Sequence, residues 1–199
     1  MMNSNMTNQS VESAPNFNVV QALVCVSMPE PYESPSSWLS RTALNQGVSI
    51  EQMLDYLGLK IEGDIDIEFA LEVNEKTAQL CGLPFSSFSF MKHMFSQVSK
   101  IDEEGIIFLL TEGSFARYRY CAHCLKEQHT PHFPLHWRFK AWQWCPIHDC
   151  LLSDSCPHCY SVLILPQNLI NAGPKSKETL HKSSQPQLKP ATWLIKYKA

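Results

Sequence analysis

Three ligand pairs dominate this chain: Cys121-x-x-Cys124, Cys145-x-x-His148 and Cys156-x-x-Cys159. Each pair leaves two residues between soft donors, so both side chains can turn into one tight bend and share one ion. A zinc ion takes four such donors in a tetrahedron. Cys121, Cys124, Cys145 and His148 make a complete set of three thiolates and one imidazole. A structural zinc is therefore expected, about one per chain, and it must supply folding free energy to the segment that closes around it. Disulfides and a redox couple are the competing readings. Disulfides need an oxidising compartment. Met1 to Ser13 is polar, with neither the basic nor the apolar region of a secretion leader, so no such leader is expected. A redox pair needs a strand-to-helix context around one Cys-x-x-Cys, not three pairs in series.

The chain has 199 residues, enough for one domain and a small second one. Hydrophobic residues make up 44% of it, so most of it can bury a core. No stretch is long and apolar enough to span a membrane, and no membrane partner is expected. Charge is unevenly spread: residues 1–110 hold 5 Lys+Arg against 14 Asp+Glu, and residues 111–199 hold 11 against 5. An acidic front and a basic back suit a protein partner for the first and a polyanion for the second. The alternative is two solvated faces.

Four parts are expected. Residues 1–17 are Asn/Ser-rich and read as a disordered lead. Residues 18–115 read as a helical, helix-turn-helix-like domain, residues 116–165 as the zinc-binding module, and residues 166–199 as a mobile Lys/Ser/Pro-rich tail. Beyond the cysteine pairs there is no internal repeat. The fold class is mainly α, with a small zinc-ribbon or zinc-knuckle module behind the helical domain.

Within the helical part, Pro35 and Ser36 open a first helix that carries Trp38, Leu39, Thr42 and Ala43 at helical spacing and stops near Asn45-Gln46-Gly47. Ser49 caps a second, Ile50 to Leu57, with an apolar stripe of Ile50, Met53, Leu54 and Leu57 and a stop at Gly58. A third is expected over Asp66 to Leu80, broken by Cys81-Gly82-Leu83-Pro84, and a fourth from Ser86 or Ser87 towards Val98. Two short helices around a Gly-containing turn are a helix-turn-helix pattern. The second helix, however, carries Glu51 and Asp55 and no Lys or Arg, whereas phosphate binding needs positive charge at the groove. A packing or protein-docking module is favoured over a DNA reader. Trp38 reads as core, and Arg41 as the partner of a nearby carboxylate.

The zinc segment has a different texture. Arg117, Tyr118, Arg119, Tyr120, Lys126, Arg138 and Lys140 interleave with His132, Phe133, His136, Trp137, Trp142 and Trp144. Cations neutralise phosphate and flat rings stack on bases. A small zinc module also needs aromatics for its own thin core, and Trp137 and Trp144 are assigned there. Arg117, Arg119, Arg138 and Lys140 are the candidate nucleic-acid contacts. Cys25, Cys81 and Cys150 read as small buried hydrophobes.

The run from Tyr32 to Ser49 (Tyr-Glu-Ser-Pro-Ser-Ser-Trp-Leu-Ser-Arg-Thr-Ala-Leu-Asn-Gln-Gly-Val-Ser) resembles the opening of the TniQ/TnsD family of transposon target-site selection proteins. Arg119-Tyr120-Cys121-x-x-Cys124-Leu125, Trp137-Arg138, Cys145-Pro146-x-His148, Leu151-Leu152 and Cys156-Pro157-x-Cys159 follow in the family's order, so the resemblance runs from about Met28 to Tyr160. It implies a non-catalytic adaptor in DNA transposition. Such a protein links target recognition, by its own DNA contacts or by an RNA-guided CRISPR effector complex, to the transposon's AAA+ ATPase of the TnsC/TniB kind and to the transposase. It further implies a homodimer in the bacterial cytosol or nucleoid. One departure stands out. In the family the last Cys pair begins a second zinc site completed downstream, and no cysteine follows Cys159 here. Cys156 and Cys159 are thus half of a second site, with His158 or Cys150 at hand only in a cramped geometry and His181 in the polar tail, so a degenerate second site or a short or truncated member is expected.

Two other classes compete. A catalytic zinc keeps three protein ligands and an open position for water, whereas four ligands, three of them thiolates, leave none. No zinc-protease, nucleophile-elbow, P-loop or deaminase signature occurs, so the chain is not expected to be an enzyme. A stand-alone zinc-ribbon or helix-turn-helix DNA-binding regulator is the remaining alternative, and it would bind duplex DNA with steep salt dependence.

Overall fold

A computed structural model of the chain describes residues 22–101, 107–113, 115–155 and 160. The first helix, α1 (Pro35–Gln46), starts where Ser34 accepts a hydrogen bond from the Ser37 backbone N–H, with Pro35 at the first helical position. It ends at Gly47, whose φ of 68° is left-handed. Helix α2 (Ile50–Leu57) has a full capping box: the Ser49 side chain accepts from the Gln52 N–H, and the Gln52 side chain accepts from the Ser49 N–H. It buries Met53, Leu54 and Leu57 and turns Glu51, Gln52, Asp55 and Tyr56 outward. Both helices fall where the periodicity and caps put them. The described residues establish two helices and a tight turn, not a DNA-reading arrangement.

The expected third helix is in fact two. Helix α3 (Ile65–Glu72) stops at Val73, which is extended at ψ 128°, and α4 (Glu75–Leu80) begins anew behind Asn74. The Asn74 side chain accepts from the Thr77 N–H, so a short polar side chain diverts the backbone into a new cap, and apolar periodicity does not register such a break. The freed carbonyls at the end of α3 are not left bare: Lys92 Nζ reaches those of Ala70, Leu71 and Val73 at 3.3, 3.2 and 2.8 Å. Lys92 lies on α5 (Ser89–Ile101), which follows a 3-10 turn at Phe85–Phe88.

Two further boundaries differ from expectation. Residues 22–34 are not helical and run against the helices instead, with the Leu23 N–H on the Leu80 carbonyl. Residues 107–113 and 115 are not helical either, because strands β1 (Thr111–Glu112) and β2 (Phe115–Ala116) pair antiparallel, with Gly113 at φ 61° between them. Then come α6 (Ala122–Glu127), a 3-10 turn at Leu135–Arg138, and a hairpin of β3 (Trp144–Cys145) and β4 (Cys150–Leu151). The expected lead at residues 1–17 and tail at residues 166–199 lie outside the described residues.

The described residues bury two hydrophobic clusters. In the first, Trp38, Phe69 and Phe88 meet ring to ring at 5.0–6.1 Å, among Leu39, Met53, Met91 and Phe95. In the second, Tyr118, Phe133 and Trp137 stack edge to face around Leu125 and the ligand cysteines. Polar contacts lock one to the other. The Ser34 N–H donates to the Phe133 carbonyl, the Phe133 N–H donates to Ser37 Oγ, and the Leu135 N–H donates to the Tyr32 carbonyl. The fully buried Glu33 accepts from Ser37 Oγ at 2.8 Å and from Arg41 at 2.7 and 2.9 Å. The Glu-Ser-x-x-Ser-Trp-Leu-x-Arg run is therefore a structural clasp: its Trp38 fills the core and its Arg41 satisfies a buried carboxylate.

Candidate metal centre

Four donors converge. The ligand atoms of Cys121, Cys124, Cys145 and His148 all lie within 4.8 Å of one another. The two elements that bring them there differ in kind. Cys121 occupies the N-cap position of α6 and Cys124 its first turn, whereas Cys145 closes β3 and His148 sits in the four-residue turn before β4. Asp149 takes a left-handed φ of 50° to complete that turn.

The spacing fits a tetrahedral ion. With metal–sulfur bonds of about 2.3 Å and a metal–nitrogen bond of about 2.0 Å, the donors of a tetrahedron stand about 3.5–3.8 Å apart. The observed separations are 3.5 Å for Cys124–Cys145 Sγ, and 3.5, 3.2 and 3.5 Å from His148 Nδ1 to Sγ of Cys121, Cys124 and Cys145. The three cysteines are buried, and the His148 side chain is 14% exposed. Thiol hydrogen bonds from Cys124 pull the Cys121 thiol down to about 4, and the same sharing pushes Cys124 up. The donor set thus suits a thiophilic divalent cation, and a tetrahedral ion held by all four residues would keep no position for a reacting water.

Two neighbours complete the surroundings, and sequence reasoning missed both. Glu127 Oε2 lies 2.9 Å from His148 Nε2, on the side of the ring away from the sulfurs. Its position at the end of the short helix opened by the Cys pair was the available signal. Cys150 is not an isolated hydrophobe, since its Sγ is 3.8 Å from Cys121 Sγ and burial pushes its thiol up to about 12. It is a fourth sulfur beside the three of the cluster. Of the other two free cysteines in the described part, Cys81 is buried as expected, and Cys25 is exposed, contrary to expectation. Cys156 and Cys159 lie outside the described residues.

The cations named as nucleic-acid contacts are largely occupied. Arg138 is fully buried and cannot touch a partner. Its Nη1 and Nη2 form a two-pronged pair with Asp64 at 2.7 and 2.6 Å, Nη1 reaches Asp66 at 2.8 Å, and Nη2 donates to the Leu110 carbonyl at 3.0 Å. Tyr118 donates to Asp66 from the other side, and the Ser36 N–H donates to it at 2.7 Å. Burial works against the Arg138 charge, but the adjacent Asp66 and Asp64 outweigh it, so its pKa is raised. Arg117 pairs with Asp154 at 2.9 Å, and Arg119 donates to the Lys140 and Trp142 carbonyls at 3.0 and 3.2 Å. Lys140 is exposed. A basic count along a sequence is thus a poor measure of basic surface.

A helical body is thus clasped onto a small segment that carries a four-donor Cys/His cluster. The chain belongs to the TniQ family, whose profile matches residues 26–152. That family is transposition-associated and generally serves as a non-catalytic accessory. A search of curated proteins finds no match. Among the described residues, no helix is long and apolar enough to cross a membrane.

Proposed function

We propose that this protein is a non-catalytic adaptor in DNA transposition that links a target-recognising element to the transposon's AAA+ ATPase and, through it, to the transposase. The observation that carries the reading is the TniQ match over residues 26–152, which spans both the clasp and the four-donor cluster. The cluster holds one structural zinc ion and fixes the back segment in shape. Recognition of the target comes chiefly from another component, such as an RNA-guided complex. In support, Arg138 is buried, Arg117 and Arg119 are engaged within the chain, and the outward face of α2 is acidic. The same facts weigh against a stand-alone DNA-binding regulator, which needs a free cationic face. The acidic front is the docking side.

The test is affinity purification of the tagged protein from its own cells, with bound proteins and nucleic acids identified. Recovery of an AAA+ ATPase, with or without a guide-RNA complex, supports the adaptor. Recovery of one specific duplex and no ATPase overturns it in favour of the regulator.

A further inference from the structure

We propose that Glu127 is the positioning residue of the metal centre: it holds the His148 ring so that Nδ1, not Nε2, is the fourth donor, and so slows loss of the ion. The inference rests on metal occupancy of the Cys121, Cys124, Cys145 and His148 cluster. An imidazole can ligate through either nitrogen, and a flexible Cys-x-x-His turn can present either one. What the other nitrogen bonds to decides the choice. Here Nδ1 stands 3.2–3.5 Å from three sulfurs, while Nε2 stands 2.9 Å from Glu127 Oε2. With Nδ1 on the metal, Nε2 carries the hydrogen and donates it to the carboxylate.

Three sides of the ring are defined in this way. The sulfurs face Nδ1, Glu127 faces Nε2, and the His123 ring lies against one flat side at 5.3 Å and 28° between planes. Glu127 and His123 both sit on α6, whose start supplies Cys121 and Cys124. One helical turn and a half therefore carries two ligands and the two groups that aim a third. The fourth and third ligands arrive from the β3–β4 hairpin, so the bond from Glu127 to His148 also ties the hairpin to the helix. The Glu127 side chain is 66% exposed. Its charge is screened by water, so its effect comes through the acceptor oxygen and the ring orientation rather than through charge itself.

The experiment uses the zinc-loaded full chain. It follows transfer of zinc to a competing chelator, and reads the His148 ring nitrogens by long-range proton–nitrogen NMR. Glu127→Ala should release zinc about 10- to 100-fold faster, and the His148 pattern of metal on Nδ1 and hydrogen on Nε2 should give way to a mixture with Nε2 ligation. Glu127→Gln keeps an acceptor oxygen and should restore the wild-type ring pattern, with release within about fivefold of wild type. Lys126→Ala, a neighbouring exposed position on α6, should leave both readouts unchanged. Equal release rates and an unaltered ring pattern in Glu127→Ala would overturn the positioning role, with the metal reading intact. A wild-type chain that binds no zinc would overturn both.

Discussion

Replacing Arg138 with Ala should be among the most damaging single changes in the chain. The guanidinium makes four hydrogen bonds at 2.6–3.0 Å, three of them to carboxylate oxygens of Asp64 and Asp66. Asp66 is fully buried, so without Arg138 its charge faces only the Tyr118 hydroxyl and the Ser36 N–H. Burial already pushes Asp66 up, and Arg138 is the main opposing influence. Breaking a buried pair by deleting one partner costs about 3–5 kcal/mol, because the remaining charge stays desolvated. Total stabilities run about 5–15 kcal/mol, so the loss is a large fraction. Urea unfolding of the zinc-loaded protein should show a lower midpoint at an unchanged slope, and the melting temperature should fall by roughly 6–20 °C. The second arm is a double-mutant cycle. Asp66→Asn should cost less in an Arg138→Met background than in the wild type, by about 0.5–3 kcal/mol. If Arg138→Ala loses less than about 1 kcal/mol and chiefly weakens nucleic-acid binding, the clasp argument fails and Arg138 is a surface contact after all.

Cys121→Ser and Cys145→Ser should each lose the ion and unfold the back segment, because metal binding supplies folding free energy there; metal analysis and loss of the thermal transition in chelator check this. Cys150→Ala should keep about one zinc per chain, since four other donors already close the tetrahedron, and a drop in metal content would make Cys150 a ligand. Zinc should be lost as pH falls, because protons compete for the thiolates and His148; stability gained from the metal is present at neutral pH and disappears on acidification, read by metal content against pH. Asn74→Ala should destabilise by about 1 kcal/mol through loss of the α4 cap, measured by the urea midpoint.

Local chemistry is what the linear pattern expresses best. Ser49, Gln52, Gly47 and Gly58 announce the ends of α1 and α2 through hydrogen bonds and φ values that involve only near neighbours. The four clustered Cys and His residues were legible for the same reason: a two-residue gap forces each pair into one turn. The break at Asn74 was legible in principle, but a continuous apolar rhythm masked it. Charge was read least well. Arg138 looks like any cation in a basic run, yet its partners Asp64 and Asp66 lie 74 and 72 residues away, and only the packing of α3 against the zinc segment brings them together.

By itself, the sequence determined α1 and α2, their caps and which four Cys and His residues come together, because each pair or cap depends on residues within a turn of one another. The tertiary structure alone decided which charged groups remain available to a partner and which way His148 faces. Those outcomes depend on burial and on contacts between distant segments, where desolvation makes a carboxylate and a guanidinium seek each other rather than water.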